Sequence, residues 1–280
     1  MTPTELKQEA LRRAALHSPE YASITPLFEA VYAYISGREE CTGITISVTD
    51  SNREYRISHG FPMISATDIM VDREALSTFL SGAAGVLKQH GTAAGDQLDQ
   101  IVSALEQGNL DPGEMILAIL ERRRAPLEEA SAALGAPSPL LEYLFEIPLK
   151  TALEGYAATI SNDSVKDWQE ALCPVCGARP AMAELSGDEG RRTLSCSACF
   201  FTWPFKRLKC PSCGCEDVQK LSYFTAGDCP TRIDTCSACS RYIKTRDSRK
   251  GNADIPLEVE DLLTIHLDLL ASKEGFERGK

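Results

Sequence analysis

The chain has 280 residues, of which 43% are hydrophobic and 25% charged; this excludes a disordered, collagen-like or coiled-coil chain and leaves room for one large domain or two smaller ones. Twenty-nine Lys and Arg against 40 Asp and Glu give a formal charge of −11, which argues against a chain-wide binder of nucleic acid or of anionic membrane. The unusual number is 11 cysteines, ten of them between Cys173 and Cys239, with only Cys41 outside.

Residues 1–19 read as a polar amphipathic helix without the continuous apolar core of a signal peptide. No run of about 18 apolar residues occurs, so no membrane span is expected. The expected compartment is the cytoplasm, where thiols stay reduced and clustered cysteines bind metal more often than they form disulfides.

Thr25-Pro26 supplies an N-cap and a first helical residue, with Leu27, Val31, Tyr34 and Ile35 on one face. Between Gly43 and Ser65 the pattern changes: Ile44, Ile46 and Val48 alternate with polar residues, and Ser51-Asn52 reads as a turn, so a short hairpin and a loop both fit. Asp72 caps a helix carrying Leu76, Phe79, Leu80, Ala83 and Leu87 that ends near Gly91, and another with Leu98, Ile101, Val102 and Leu105 stops at Gly108. Asp111-Pro112-Gly113-Glu114 gives a cap, a proline in the first turn and an acid three residues after the cap. Met115, Ile116, Ile119 and Leu120 form the buried face of that helix. Ser138-Pro139 opens a Leu-rich helix that Pro148 is expected to kink or split before about Ile160.

From Cys173 to about Arg249 short strands, many turns and paired cysteines replace the helical pattern. After Gly251 a polar linker leads through Pro256 into a last helix, whose Leu257, Leu262, Leu263, Ile265 and Leu269 are expected to pack back onto the body. The predicted architecture is a mostly α N-terminal domain over 1–168 and a small-β, metal-stabilised pair of rubredoxin-like or zinc-ribbon units over 169–250, split at about 208/209. A linker and C-terminal helix follow over 251–280.

Four Cys-x-x-Cys pairs occur: Cys173/Cys176, Cys196/Cys199, Cys210/Cys213 and Cys236/Cys239. Two intervening residues let a tight turn point both sulfurs the same way, and two facing turns complete a tetrahedron of thiolates. The order CPxCG, CSAC, CPxCG, CSAC is one ribbon used twice, which pairs the turns sequentially; an interleaved cross-brace is the rival. Four pairs fit thioredoxin-like redox chemistry poorly, since a catalytic Cys-x-x-Cys opens a helix and one pair suffices. Cys215 and Cys229 lack ligand spacing, though Cys215 stands close enough to Cys213 to compete. Four thiolates suit zinc and iron equally, which keeps a rubredoxin-like electron carrier open.

Residues 170–250 carry 13 Lys and Arg against nine Asp and Glu. A nucleic-acid-binding ribbon would use Arg191, Arg192, Lys206, Arg207 and Lys209, but eight thiolates holding two divalent ions cancel this excess. The run Phe200-Phe201-Thr202-Trp203-Pro204-Phe205 is either packed inside or an exposed docking patch for a partner. No phosphate-cradling loop, metallohydrolase motif or nucleophile elbow is present, so no enzyme is indicated.

CPVCGARP, RRTLSCSACFFTWPFKRLKCPSCG and CSACSRYIK, with Glu274-Gly275-Phe276 near the end, resemble the formate dehydrogenase accessory protein family, FdhE, over about residues 170–280. The resemblance implies a helical domain followed by two rubredoxin-like ribbons in a cytoplasmic, non-catalytic helper of respiratory formate dehydrogenase. It implies the catalytic subunit of that enzyme as partner. It implies two metal ions, iron with zinc the alternative, on Cys173, Cys176, Cys196, Cys199, Cys210, Cys213, Cys236 and Cys239. Cys215 and Cys229 depart from the family's motif and leave the second ligand set open.

Overall fold

A computed structural model describes residues 2–17, 21, 23–91, 94–251 and 253–279; Ser18 and Pro19, at the end of the first expected helix, lie outside them. The chain divides into two compact units, one of Met1–Val48 with Ile64–Tyr156 and one of Thr49–Met63 with Ala157–Lys280.

The first unit is helical: α1 (Pro3–His17), α2 (Thr25–Ile35), α4 (Arg73–His90), α5 (Gly95–Glu106), α6 (Pro112–Leu120), α7 (Arg124–Leu134) and α8 (Ser138–Ala157, whose last residue belongs to the other unit). Leu11, Val31, Leu76, Leu80, Ile101, Ile116, Leu141, Leu144 and Phe145 are buried in it, as helical spacing predicts. Asp72 accepts from the N–H groups of Glu74 and Ala75, and Asp111 from those of Gly113 and Glu114, so both expected caps form. Gly82 lets the Tyr34 ring cross α4 closely enough for its hydroxyl to donate to the Phe79 carbonyl at 2.8 Å.

Four local expectations change. Thr25 lies one residue inside α2 and donates its hydroxyl back to the Tyr21 carbonyl, which leaves the cap position to Ile24 without a side-chain bond. The Gly43–Ser65 segment is neither hairpin nor loop. β1 (Ile44–Ile46) pairs antiparallel with β2 (Ile69–Val71), and between them Thr49 caps α3 (Asp50–Ser58) through the Asn52 N–H, so Ser51-Asn52 is a first helical turn. α8 continues through Pro148 without splitting. The last helix is two, α9 (Leu257–Leu262) and α10 (Ile265–Lys273); Val259, Leu263 and Leu267 turn inward, while Ile265 and Leu269 face solvent.

The second unit is built on one sheet. Its first ribbon is β3 (Pro180–Ser186), β4 (Arg191–Cys196) and β5 (Thr202–Pro204); its second is β6 (Leu221–Phe224), β7 (Thr231–Cys236) and β8 (Arg241–Asp247). The order β5-β4-β3-β8-β7-β6 joins them through a parallel pair, Met182↔Lys244 to Leu185↔Asp247, and the short β9 (Glu277–Arg278) adds to β8. α9 and α10 cover one face, where Ile233, Tyr242, Leu267 and Ala271 cluster. There the buried Lys244 ammonium meets the Asp261 and Asp268 carboxylates, each at 2.8 Å, and Arg278 pairs with Asp261. Trp203 is fully buried with its indole N–H donating to the Glu170 carbonyl, and Phe201 and Phe205 are buried beside it in sequence, so the aromatic run is core and not a docking patch.

The Arg73 guanidinium bonded to Asp111, helped by the two capped N–H groups, holds the Asp111 carboxyl below the ordinary carboxylate range. Asp111→Ala is expected to cost about 1 kcal/mol, read as a lower urea midpoint for the helical signal. A depressed carboxylate stabilises above its unfolded pKa and loses that contribution as pH falls through the folded one. The difference from wild type therefore fades below about pH 4.

Candidate metal centres

Each half of a ribbon contributes one turn with two sulfurs. In the first and third turns the N–H of Gly177 returns to the Cys173 carbonyl, and that of Gly214 to the Cys210 carbonyl, both at 2.9 Å. The turn is then clamped at its base by Cys173 N–H to the Ala178 carbonyl and Cys210 N–H to the Cys215 carbonyl, both at 2.8 Å. Cys215 thus occupies the register position of Ala178, and its backbone is what the second ribbon uses.

The residue after the second cysteine is left-handed in all four turns: Gly177 and Gly214 at φ 73°, Phe200 at 57° and Ser240 at 53°. Glycine relieves this at the first and third. Phe200 and Ser240 hold it with a side chain, a strained conformation that persists where the surroundings dictate it.

The sulfurs gather in sequential order. Cys173, Cys176, Cys196 and Cys199 form one cluster and Cys210, Cys213, Cys236 and Cys239 the other, with all four Sγ atoms of each within 4.8 Å of one another. Cys173–Cys199, Cys176–Cys196 and Cys176–Cys199 stand 3.5, 3.4 and 3.6 Å apart; Cys210–Cys239 and Cys213–Cys236 stand 3.8 and 3.7 Å apart. These separations are far from a bonded S–S of about 2.05 Å. They match the roughly 3.8 Å edge of a tetrahedron with metal–sulfur bonds of about 2.3 Å. All 11 cysteines are free thiols, and neither Cys215 nor Cys229 joins a cluster. The donor set therefore fits a four-coordinate zinc or iron ion, and each cluster could hold one.

Backbone N–H groups also aim at the sulfurs: Ala198 and Cys199 donate to Cys196 Sγ at 3.3 and 3.4 Å, and Ser212 to Cys210 Sγ at 3.4 Å. Burial pushes the Cys173 and Cys199 thiols well up. Against the same burial, hydrogen bonds from Cys173, Cys176 and Cys199 hold the Cys196 thiol well down. In the second cluster burial raises Cys236 to about 11 and Cys239 further, while Cys213 is lowered by the Cys215 N–H and its cluster neighbours.

The two clusters differ in cover. Cys173, Cys196 and Cys199 are buried, and the Pro62-Met63 segment lies on their turn: Met63 N–H donates to the Pro174 carbonyl at 2.8 Å, and Pro62 rests where a Gly177 side chain would be. In the second cluster Cys213 is exposed and Cys239 half-buried. Of the basic residues singled out in sequence, Arg192 is buried inside the unit, Lys206 is paired with Glu216, and Arg207 and Lys209 line the same cavity as Arg192.

No family model matches the chain. A protein named "Protein FdhE homolog" from Aquifex aeolicus is 27% identical over 241 residues, covering 85% of this chain and 79% of that protein. A second of that name from Pseudomonas putida is 31% identical over 156 residues, but this match spans only 51% of this chain and 48% of the relative. The crystal structure of the FdhE protein from Pseudomonas aeruginosa superposes with a TM-score of 0.67 over 98% of this chain and 92% of that one, at 19% identity, a likeness of fold. With the helical region, the paired cysteine clusters and the similarity along most of its length, the chain resembles the FdhE proteins.

Proposed function

We propose that this chain is a cytoplasmic, non-catalytic accessory protein that binds the catalytic subunit of respiratory formate dehydrogenase and supports its assembly. The observation that carries this reading is the pair of four-cysteine clusters in a chain that resembles the FdhE proteins. In the proposal Cys173, Cys176, Cys196 and Cys199 ligate one metal ion and Cys210, Cys213, Cys236 and Cys239 another, iron by family expectation with zinc the alternative. A bound ion would supply folding energy, on the order of 10 kcal/mol per site, and iron would add a one-electron couple. The chain's own contribution is to fix the turns, aim N–H groups at the sulfurs and cover the first cluster more fully than the second.

Deleting the gene is expected to abolish formate-dependent dye reduction while the dehydrogenase polypeptide persists, and the protein is expected to co-purify with the catalytic subunit. Normal activity in the deletion strain overturns the accessory role. A second reading, electron transfer, is favoured by one observation, the exposure of Cys213 at the second cluster. It predicts a visible sulfur-to-iron absorption that bleaches on reduction, and a colourless protein holding two zinc ions after anaerobic purification rules it out.

Cys210→Ser with Cys213→Ser is expected to lower bound metal from about two ions per chain to about one. The difference in cover also sets an order of loss. A chelator with a thiol-reactive reagent is expected to release the ion of the second cluster first, and mass spectrometry should show Cys213 modified before Cys173. Simultaneous release of both ions, or earlier loss from the first cluster, contradicts this order.

A further inference from the structure

The sheet of the second unit has two unlike faces. α9 and α10 cover one; beside the second cluster the other bears a cavity of about 100 Å³. Strand alternation puts Arg192 of β4, Arg232 and Asp234 of β7, and Arg241 and Ile243 of β8 on this face. The segment 207–212 adds Arg207 and Lys209, so five cationic side chains line the cavity against one lining carboxylate, Asp234; outside the lining, Glu277 lies 3.4 Å from Arg241, which also donates to the Arg278 carbonyl. Even the thiols of Cys210 and Cys236 on its wall, counted as anions, leave positive charge in excess.

Asp234 is already committed. It accepts from Arg232 Nε at 2.7 Å and the Thr245 hydroxyl at 2.8 Å, with Arg192 3.8 Å away. Arg192 is the deepest of the five, its side chain 4% exposed. It donates to the Lys209 and Arg207 carbonyls at 3.0 and 3.4 Å, yet its buried Nε has no partner. A buried guanidinium that shares its one carboxylate leaves uncompensated positive charge beneath the cavity, and a cleft with low-dielectric walls concentrates that field. The rim is apolar, with Leu208 and Tyr223 both exposed, and the Arg232 guanidinium lies 4.2 Å over the Tyr223 ring, which holds its fork in place.

We propose that this cavity binds a small oxyanion, a carboxylate or phosphate group carried on a small molecule, held by Arg232 and Arg241 above the buried charge of Arg192, with Tyr223 and Leu208 against any apolar part of the ligand. Planar guanidiniums recognise such groups through paired hydrogen bonds, which explains why arginines, rather than lysines alone, surround the space.

The test is calorimetric titration of the metal-loaded full chain with benzoate and, separately, inorganic phosphate at constant ionic strength, with chloride as control. Saturable binding of at least one probe is expected, weakened about tenfold or more in Arg232→Gln and in Arg241→Gln at unchanged metal content. Tighter binding of benzoate assigns the site to carboxylates with an apolar body, tighter binding of phosphate to phosphate groups, and either supports an oxyanion site. If one variant fails to fold, the other gives the same reading. No saturable heat with either probe, an equal response to chloride, or variants that bind like wild type would overturn the proposal.

Discussion

Four sulfurs within 4.8 Å of one another, twice between Cys173 and Cys239, is the condition on which the rest of the second unit rests. Thiols at that spacing cannot all ionise without a counter-charge, because each thiolate raises the cost of the next. The uneven thiols of the first cluster display this: Cys196 is driven down while Cys173 and Cys199 are driven up. A tetrahedral cation removes the conflict at once, and the chain is already arranged for it, with turns clamped by backbone bonds and N–H groups turned to the sulfurs. The left-handed backbone at Phe200 and Ser240 stands at the same position of the second and fourth turns as Gly177 and Gly214 do in the first and third.

The ribbons then have to be held together, and the sheet does this asymmetrically. The parallel β3–β8 pair fuses the two ribbons into one sheet, leaving two faces with a buried cation on each. Lys244 is fully answered by the Asp261 and Asp268 carboxylates and by the Asp261 and Thr264 carbonyls. These bonds pin α9 and α10 to the sheet, with the Tyr242 hydroxyl on Asp268 at 2.7 Å adding to them. Arg192 has only backbone carbonyls and a share of one carboxylate. One face is thus closed by charge pairing, and the other carries a positively lined cavity beside the second cluster. That contrast separates a structural cation from one available to a ligand.

What could be read in the sequence follows which physical signal each element carries. Asp72 and Asp111 were legible because a capping carboxylate and the apolar stripe behind it are local, and the cysteine pairs because ligand spacing is almost independent of context. α3 was not legible: none of its residues is buried, so it has no apolar period to detect, and its cap, Thr49, ends what looked like a strand. Thr25 misled by one residue because a hydroxyl can bond backward to a carbonyl as readily as forward to an N–H. The aromatic run left its two readings undecided because adjacent residues of an edge strand and its flanks can all be buried when the chain on either side folds over them. Arg192 had a signal that went unused. It shares the alternating register of Leu194 and Cys196, which places a charge on the inner face of a strand, where it must be answered or left waiting.

The two clusters differ in exposure although their ligand sets are chemically identical. Four cysteines in the same order cannot by themselves make one centre more reactive than the other, so any difference has to come from what lies over the sulfurs. The first turn is roofed by the Pro62-Met63 segment, which reaches it through a backbone bond to Pro174. The corresponding third turn has Gly279 against Ser212, yet leaves Cys213 in solvent. A covered tetrathiolate exchanges slowly because an incoming thiol or chelator has no line to the metal–sulfur bond, whereas an exposed sulfur is the first position such a molecule meets. The two cysteine clusters therefore share one donor set and differ in accessibility, a difference set by the surrounding chain and not by the motif.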